Sequence, residues 1–303
     1  MRPVIETFLR PLPHGITLSC RAAGEPGRPV LVFLHGFPQA AFVWDALLLH
    51  FSRPEHGGYR CIAPNLRGYE QSSAPQEVKA YRAKHLVQDI AALITSETGG
   101  APLAALVAHD WGGAVAWNLA NQQPQLMQRL VILNSPHPGT FLRELKSNPR
   151  QQAASAYMNF LVRPDAETLL AADDYQRLWP FFTHTGNATW LTEAEKDRYR
   201  ALWRGGAGLV GGCHYYRASP MRPATSDDPG VQALDLPDAA LMVNCPTLVM
   251  WAMEDTALLP ELVEGLDRWV PRLTLEKIEG ASHWVLHEQP ERIINRLERF
   301  LAS

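Results

Sequence analysis

The sequence predicts an α/β architecture: a mostly parallel central sheet with helices on both faces and one inserted helical module. Two observations carry this. Short, wholly apolar runs alternate with segments of helical periodicity, as crossover-connected parallel strands require. The alternation stops after residue 137, gives way to helical segments and loops, and resumes near residue 241. The expected organisation is therefore a core of residues 1–137 and 241–303 interrupted by a helical module over 138–240.

Taken in order, residues 5–9 and 16–22 read as an antiparallel edge hairpin reversed through Pro11, Pro13 and Gly15. Residues 30–34 (VLVFL) form the first buried strand, ending in His35-Gly36-Phe37-Pro38. Residues 44–51 are expected as a short helix and 59–64 as a strand, followed by Asn65, Arg67, Gly68, Tyr69 and Glu70. Leu86, Ile90 and Leu93 recur at helical spacing within a helix over 82–96. Ala104, Ala105, Leu106 and Val107 make another buried strand, with helix over 114–123 and the next strand over 130–134.

Within the inserted module, Thr192-Glu193-Ala194-Glu195 matches a capping box and should open a helix. Residues 205–212 are rich in glycine and are expected as a flexible connection. The module is dense in aromatics, among them Tyr157, Trp179, Trp190, Tyr199, Trp203, Tyr215 and Tyr216, a composition that suits both helix packing and a lid over an apolar pocket. Afterwards come a strand ending at Trp251, a helix over 260–270, a strand over 273–278 and an amphipathic C-terminal helix over 291–301.

The formal net charge of −3 and the absence of a basic run exclude nucleic acid and an anionic membrane surface as main partners, leaving a small molecule. No apolar stretch approaches a membrane span and the first residues lack a signal-peptide core, so a cytoplasmic location is expected. Cys20, Cys61, Cys213 and Cys245 show no C-x-x-C spacing, which suggests neither a zinc site nor a disulfide scaffold; no metal or cofactor is expected. The oligomeric state stays open, a homodimer included.

The chemistry gathers at Ala108-His109-Asp110-Trp111-Gly112-Gly113. Small residues two before and two after Asp110 suit a sharp strand-to-helix turn of the nucleophile-elbow kind, with aspartate where serine usually stands. A serine that attacks a saturated carbon forms an inert ether. A carboxylate, already ionised at neutral pH, forms an alkyl ester that water cleaves. Such an Asp110 implies an alkylating electrophile as substrate, whereas an aspartate in this place can equally cap the following helix. The backbone N–H of Phe37, after the first buried strand, can face an oxyanion, while His35 reads as a structural histidine. Asp110, Asp255 and His283 each follow a strand directly, in the order nucleophile, acid, histidine.

With these motifs the chain resembles the α/β-hydrolase superfamily, in its aspartate-nucleophile branch of epoxide hydrolases and dehalogenases. The matching pieces are His35-Gly36-Phe37-Pro38, Arg67-Gly68-Tyr69, His109-Asp110-Trp111-Gly112-Gly113, Asn134-Ser135-Pro136-His137-Pro138, Asp255 and Gly280-Ala281-Ser282-His283-Trp284. The resemblance implies an α/β-hydrolase fold with a helical cap, catalytic Asp110, Asp255 and His283, and an oxyanion hole at Phe37 and Trp111. It implies two lid tyrosines that donate to an epoxide oxygen: Tyr157, and Tyr216, which precedes Arg217 as in the family pattern. Phe37, Trp111, Trp179 and Trp284 are the expected substrate-binding surfaces.

Haloacetate dehalogenases typically carry arginine where Trp111 stands, and haloalkane dehalogenases asparagine or glutamate where Phe37 stands, so the epoxide reading is preferred and carbon–halogen hydrolysis is the alternative. A non-catalytic small-molecule-binding protein on the same fold is the alternative of another class, against which the intact Asp-Asp-His set argues. Asn65, where the family commonly has aspartate, and Glu70, where it commonly has glycine, depart from the pattern at loop positions outside the chemistry.

Overall fold

A computed structural model of the chain describes residues 3–184, 188–204 and 207–303. It shows an eight-stranded sheet in the order β1-β2-β4-β3-β5-β6-β7-β8. The strands are β1 (Glu6–Pro11), β2 (Thr17–Ala23), β3 (Val30–Leu34), β4 (Arg60–Pro64), β5 (Ala105–His109), β6 (Leu130–Leu133), β7 (Thr247–Ala252) and β8 (Leu273–Ile278). β1 and β2 form the antiparallel edge hairpin and β2 joins β4 antiparallel, while β3 to β8 are mutually parallel. Every residue of β3, β5, β6 and β7 is buried, because helices cover both faces of a parallel sheet and remove the need for alternation.

The core helices are α1 (Asp45–Phe51), α2 (Ala83–Thr98) and α3 (Trp111–Gln122). Between β6 and β7 follow α4 (Pro138–Ser147), α5 (Pro149–Ala154), α6 (Tyr157–Leu161), α7 (Ala166–Tyr175), α8 (Pro180–Thr183), α9 (Glu193–Trp203) and α10 (Ala207–Ala218), with no strand among the described residues. α11 (Val285–Glu288) and α12 (Pro290–Ala302) end the chain. In α12 the buried residues Ile293, Leu297 and Phe300 recur at i, i+4 and i+7, the stripe a surface helix turns to the core. α9 opens with the Thr192 side chain accepting a hydrogen bond from the Glu195 N–H at 3.3 Å.

Three expectations are corrected. α3 begins at Trp111, three residues before the apolar periodicity of 114–123, because Asp110 turns the chain directly from strand to helix. The stretch 260–270 forms two 3₁₀ turns, Pro260–Val263 and Leu266–Arg268, separated by Gly265 at φ 68°, a left-handed residue that stops an α-helix. The glycine-rich stretch expected as a flexible connection over 205–212 is helical where it is described: from Ala207 it belongs to α10, while residues 205 and 206 lie outside the described residues. A Cβ on Gly211 would run into the Gly68 backbone, and one on Gly212 would meet the Phe37 ring at 2.6 Å. The glycines let α10 lie directly on the loops after β3 and β4, at a propensity cost of about 1 kcal/mol each.

Candidate active site

The β5–α3 junction carries Asp110 at φ 50° and ψ −123°, a conformation that L-residues avoid. Its surroundings hold it there. Gly112 packs against the Leu34 and His35 carbonyls, where a side chain would collide, and the Ser135 hydroxyl donates to the Asp110 carbonyl at 2.6 Å. The Asp110 side chain makes no capping bond to α3. Instead Oδ1 accepts the Phe37 N–H at 2.7 Å, and the neighbouring Trp111 N–H also favours the ionised carboxylate. The Phe37 N–H on Oδ1 and the Trp111 N–H beside the carboxylate both favour negative charge at this group.

The other oxygen, Oδ2, lies 3.7 Å from His283 Nε2. On the far side of that ring Nδ1 donates to Asp255 Oδ2 at 2.7 Å. Asp255 is fully buried and its acceptors are filled: Oδ2 also takes the Asn134 amide at 2.9 Å, and Oδ1 takes the Ala257 and Leu258 N–H groups at 2.9 Å each. A carboxylate whose other lone pairs are taken by three donors accepts from the imidazole and fixes its tautomer with the proton on Nδ1, leaving Nε2 free to accept. Burial is the largest single influence on His283 and works against the imidazolium, but the Asp255 charge and hydrogen bond, joined by the Asp110 and Glu288 charges, together outweigh it and raise the ring above its ordinary range. For Asp110, burial is the larger influence and lifts the carboxyl, opposed by His283 and the two N–H donors.

Asn134 and His109 contribute at this site although sequence reasoning gave them no function. Asn134, at φ 37°, bonds both Asp255 and the Ala252 N–H, the latter at 2.9 Å, and so ties the ends of β6 and β7 together. His109 donates from Nε2 to the His283 carbonyl at 2.9 Å, with its ring 4.6 Å from the His283 ring. Their position at strand ends was the available signal. His35 is buried, its Nε2 accepts the Leu66 N–H at 3.0 Å, and burial lowers it to about 4.

A cavity of about 270 Å³ opens beside Asp110 and Trp111. Tyr157 and Tyr216 line it from α6 and α10, with ring centroids 6.1 Å apart. Trp111 meets Tyr216 edge-on at 5.0 Å and aims its indole N–H at the phenol oxygen. Tyr215 also lines the cavity, but its hydroxyl is spent on the Arg67 carbonyl at 2.9 Å. Burial raises both Tyr157 and Tyr216 well above the usual phenol range, so both keep their protons at neutral pH. The remaining wall is mostly apolar, including Leu86, Val115, Phe141, Met158, Leu234 and Leu236, and among the described residues it includes no lysine, arginine or histidine.

Three expected substrate contacts, Trp179, Trp284 and Phe37, lie outside the wall of this cavity. Trp179 is not part of this cavity wall: it packs on Phe182 and Trp203, donates to the Asp174 carbonyl and faces Lys196 and Arg200, which hold it on the outer side of the helical layer. Trp284 is also outside the wall, buried against Phe182 and His283 with its N–H given to the Phe181 carbonyl. Phe37 contributes its N–H to the Asp110 carboxylate, and its ring packs edge-on against Tyr216 at 5.5 Å.

Residues 29–290 match the family model of the alpha/beta hydrolase fold. The chain is 33% identical over 285 residues to the AB hydrolase superfamily protein YfhM of Bacillus subtilis (strain 168), covering 94% of this chain and 93% of that one. It is 30% identical to Epoxide hydrolase 4 of Homo sapiens, over 96% of this chain and 76% of the relative. Among solved structures it is similar to an epoxide hydrolase from hot-environment metagenomes, at 35% identity and TM-score 0.87 over 99% of both chains. It is also similar to an inhibitor complex of a Bacillus megaterium epoxide hydrolase, at 28% identity and TM-score 0.86 over 98% of this chain and 100% of that one. With this fold, this coverage and a carboxylate held at the turn after β5, the chain belongs to the alpha/beta hydrolase fold family and is a hydrolase.

Proposed function

We propose that the protein is an epoxide hydrolase, opening an apolar epoxide to a vicinal diol through an alkyl ester on Asp110. The observation that carries this reading is the division of labour at Asp110: Oδ1 accepts the Phe37 N–H while Oδ2 faces His283 beside a cavity lined by two protonated tyrosines. Oδ2 attacks an epoxide carbon, the carbon–oxygen bond of the ring breaks, and a proton from Tyr157 or Tyr216 meets the developing alkoxide. His283 Nε2 then takes a proton from water, which adds to the ester carbonyl. Negative charge collects on Oδ1, where the Phe37 and Trp111 N–H groups receive it. Collapse releases the diol and restores the carboxylate, and the proton on His283 restores the tyrosine.

In this reading residues 138–240 are a cap that supplies the two tyrosines to a core of residues 1–137 and 241–303, which agrees with α6 and α10 lining the cavity. The names of the relatives support the same substrate class. Carbon–halogen hydrolysis would use the same nucleophile, but the wall offers no cation to a haloacetate carboxylate among the described residues, and the Trp111 indole N–H is directed at Tyr216.

The test is a paired assay of purified protein on an aryl epoxide, an aliphatic epoxide, a haloalkane and a haloacetate, scoring diol and halide together, with Asp110→Ala as the blank. Diol without halide is the expected result; halide without diol overturns the substrate class. In His283→Gln the epoxide should add its mass to Asp110, and the absence of any adduct would argue for a non-catalytic binding protein.

A further inference from the structure

Three side chains that the site above does not use converge at the opposite edge of the sheet. α1 carries the chain from the end of β3 back to the start of β4, and α12 returns it likewise from the end of β8, so the C-terminal ends of both helices lie away from Asp110. His50 is in the last turn of α1, His56 in the 3₁₀ turn Pro54–His56 before β4, and Glu298 in α12. His50 Nε2 and His56 Nδ1 each stand 2.7 Å from the same carboxylate oxygen, Glu298 Oε1, and the two imidazoles stack at 3.8 Å. Their ligand atoms all fall within 4.8 Å of one another, the one such grouping of histidine, cysteine, aspartate and glutamate found among the described residues.

We propose that His50, His56 and Glu298 form a binding site for a divalent transition-metal ion of the zinc class, with water completing the coordination. Two imidazole nitrogens and one carboxylate oxygen suit zinc, whereas magnesium and calcium prefer oxygen throughout. The ligands come from three separate elements and already converge. Tetrahedral bonds of about 2.0–2.1 Å separate ligand atoms by roughly 3.3 Å, so the carboxylate would withdraw by about 0.6 Å from each nitrogen and the two stacked imidazoles would turn to bring the ion into both ring planes. The side chains of His50, His56 and Glu298 are 20%, 29% and 34% exposed, which leaves an ion a path in from solvent. Coordination through His50 Nε2 and His56 Nδ1 leaves each ring proton on the other nitrogen, His50 Nδ1 and His56 Nε2. A bound ion ties the C-terminal helix to α1 and the turn before β4, and so stabilises the folded chain without touching the cavity.

The experiment titrates ZnCl₂ into tag-free, chelator-treated protein by calorimetry, repeats it with CoCl₂ to read the visible absorption of a tetrahedral site, and follows Tm. One equivalent of zinc should bind, and at a hundredfold excess over Kd Tm should rise by about 5 °C. His56→Ala and Glu298→Gln should each weaken binding about 100-fold and abolish the rise, while His184→Ala, at an exposed histidine elsewhere, leaves both intact. Failure to bind zinc stoichiometrically at millimolar concentration overturns the proposal, and so does binding that survives in His56→Ala and Glu298→Gln.

Discussion

Replacing Asp255 by asparagine should separate the two halves of the proposed reaction. Asp255 accepts from His283 Nδ1 at 2.7 Å and from Asn134, Ala257 and Leu258 at 2.9 Å each. An asparagine has one acceptor oxygen, which the two backbone donors claim, and its amide then faces the Asn134 amide and the His283 ring. His283 can satisfy that amide only by accepting at Nδ1, which moves its proton to Nε2, the atom that must deprotonate water. Attack by Asp110 on the substrate needs no base, so ester formation should proceed within about tenfold of the parent rate. Hydrolysis should slow by about 10³–10⁴-fold, or roughly 4–5.5 kcal/mol of barrier, as expected when a histidine is held in the wrong tautomer. Stranding the buried Asn134 donor should further cost about 1–3 kcal/mol of folding stability. Rapid-quench single turnovers with intact-protein mass detection would show a burst of alkyl-enzyme followed by slow diol release. Equal slowing of both phases, or no accumulation of ester, would refute the assignment of His283 and Asp255 to the second half.

Tyr216→Phe and Tyr157→Phe should each slow alkylation by about 10²–10⁴-fold, the usual worth of a positioned acid. Tyr215→Phe should leave it nearly unchanged and cost about 1 kcal/mol of stability, read by urea unfolding, because its hydroxyl serves the Arg67 carbonyl. Gly212→Ala, whose Cβ would meet the Phe37 ring, should destabilise the protein by about 1–3 kcal/mol and lower diol formation by displacing α10; a full-rate, full-stability variant would contradict the packing argument. Burial lowers His35, His137 and His287 from 6.5 to about 4, so the unfolded chain binds up to three more protons than the folded one between those values. Stability from these groups is fully present above pH 6.5 and should fall as pH drops towards 4, with a slope approaching 4 kcal/mol per pH unit at most. Denaturant midpoints that stay flat across that window would show the three rings to be protonated in the fold.

The strand and helix pattern was legible because burial on both faces leaves a local mark: wholly apolar β3 and β6, apolar runs within β5 and β7, and the i, i+4, i+7 stripe of α12. The sequence by itself also determined the fold class, and it located Asp110, Asp255 and His283 at strand ends, since a parallel α/β sheet presents its functional side chains there. What it did not carry were decisions made by partners distant in the chain. The glycines after residue 206 looked like a flexible connection, yet Gly211 and Gly212 lie within a helix because Gly68 and Phe37 approach it too closely for a side chain. Trp179 and Trp284 had the composition of a pocket wall, but contacts with Trp203, Phe182 and the 181 carbonyl turned them to packing. Asn134 reaches Asp255 across 121 positions, His109 reaches His283 across 174, and His50 reaches Glu298 across 248. Periodicity and turn chemistry act within a few residues, so they specify the elements and the chemistry at their ends. Hydrogen-bond geometry and the direction in which an aromatic ring is buried depend on which elements meet, and only the folded arrangement decides them.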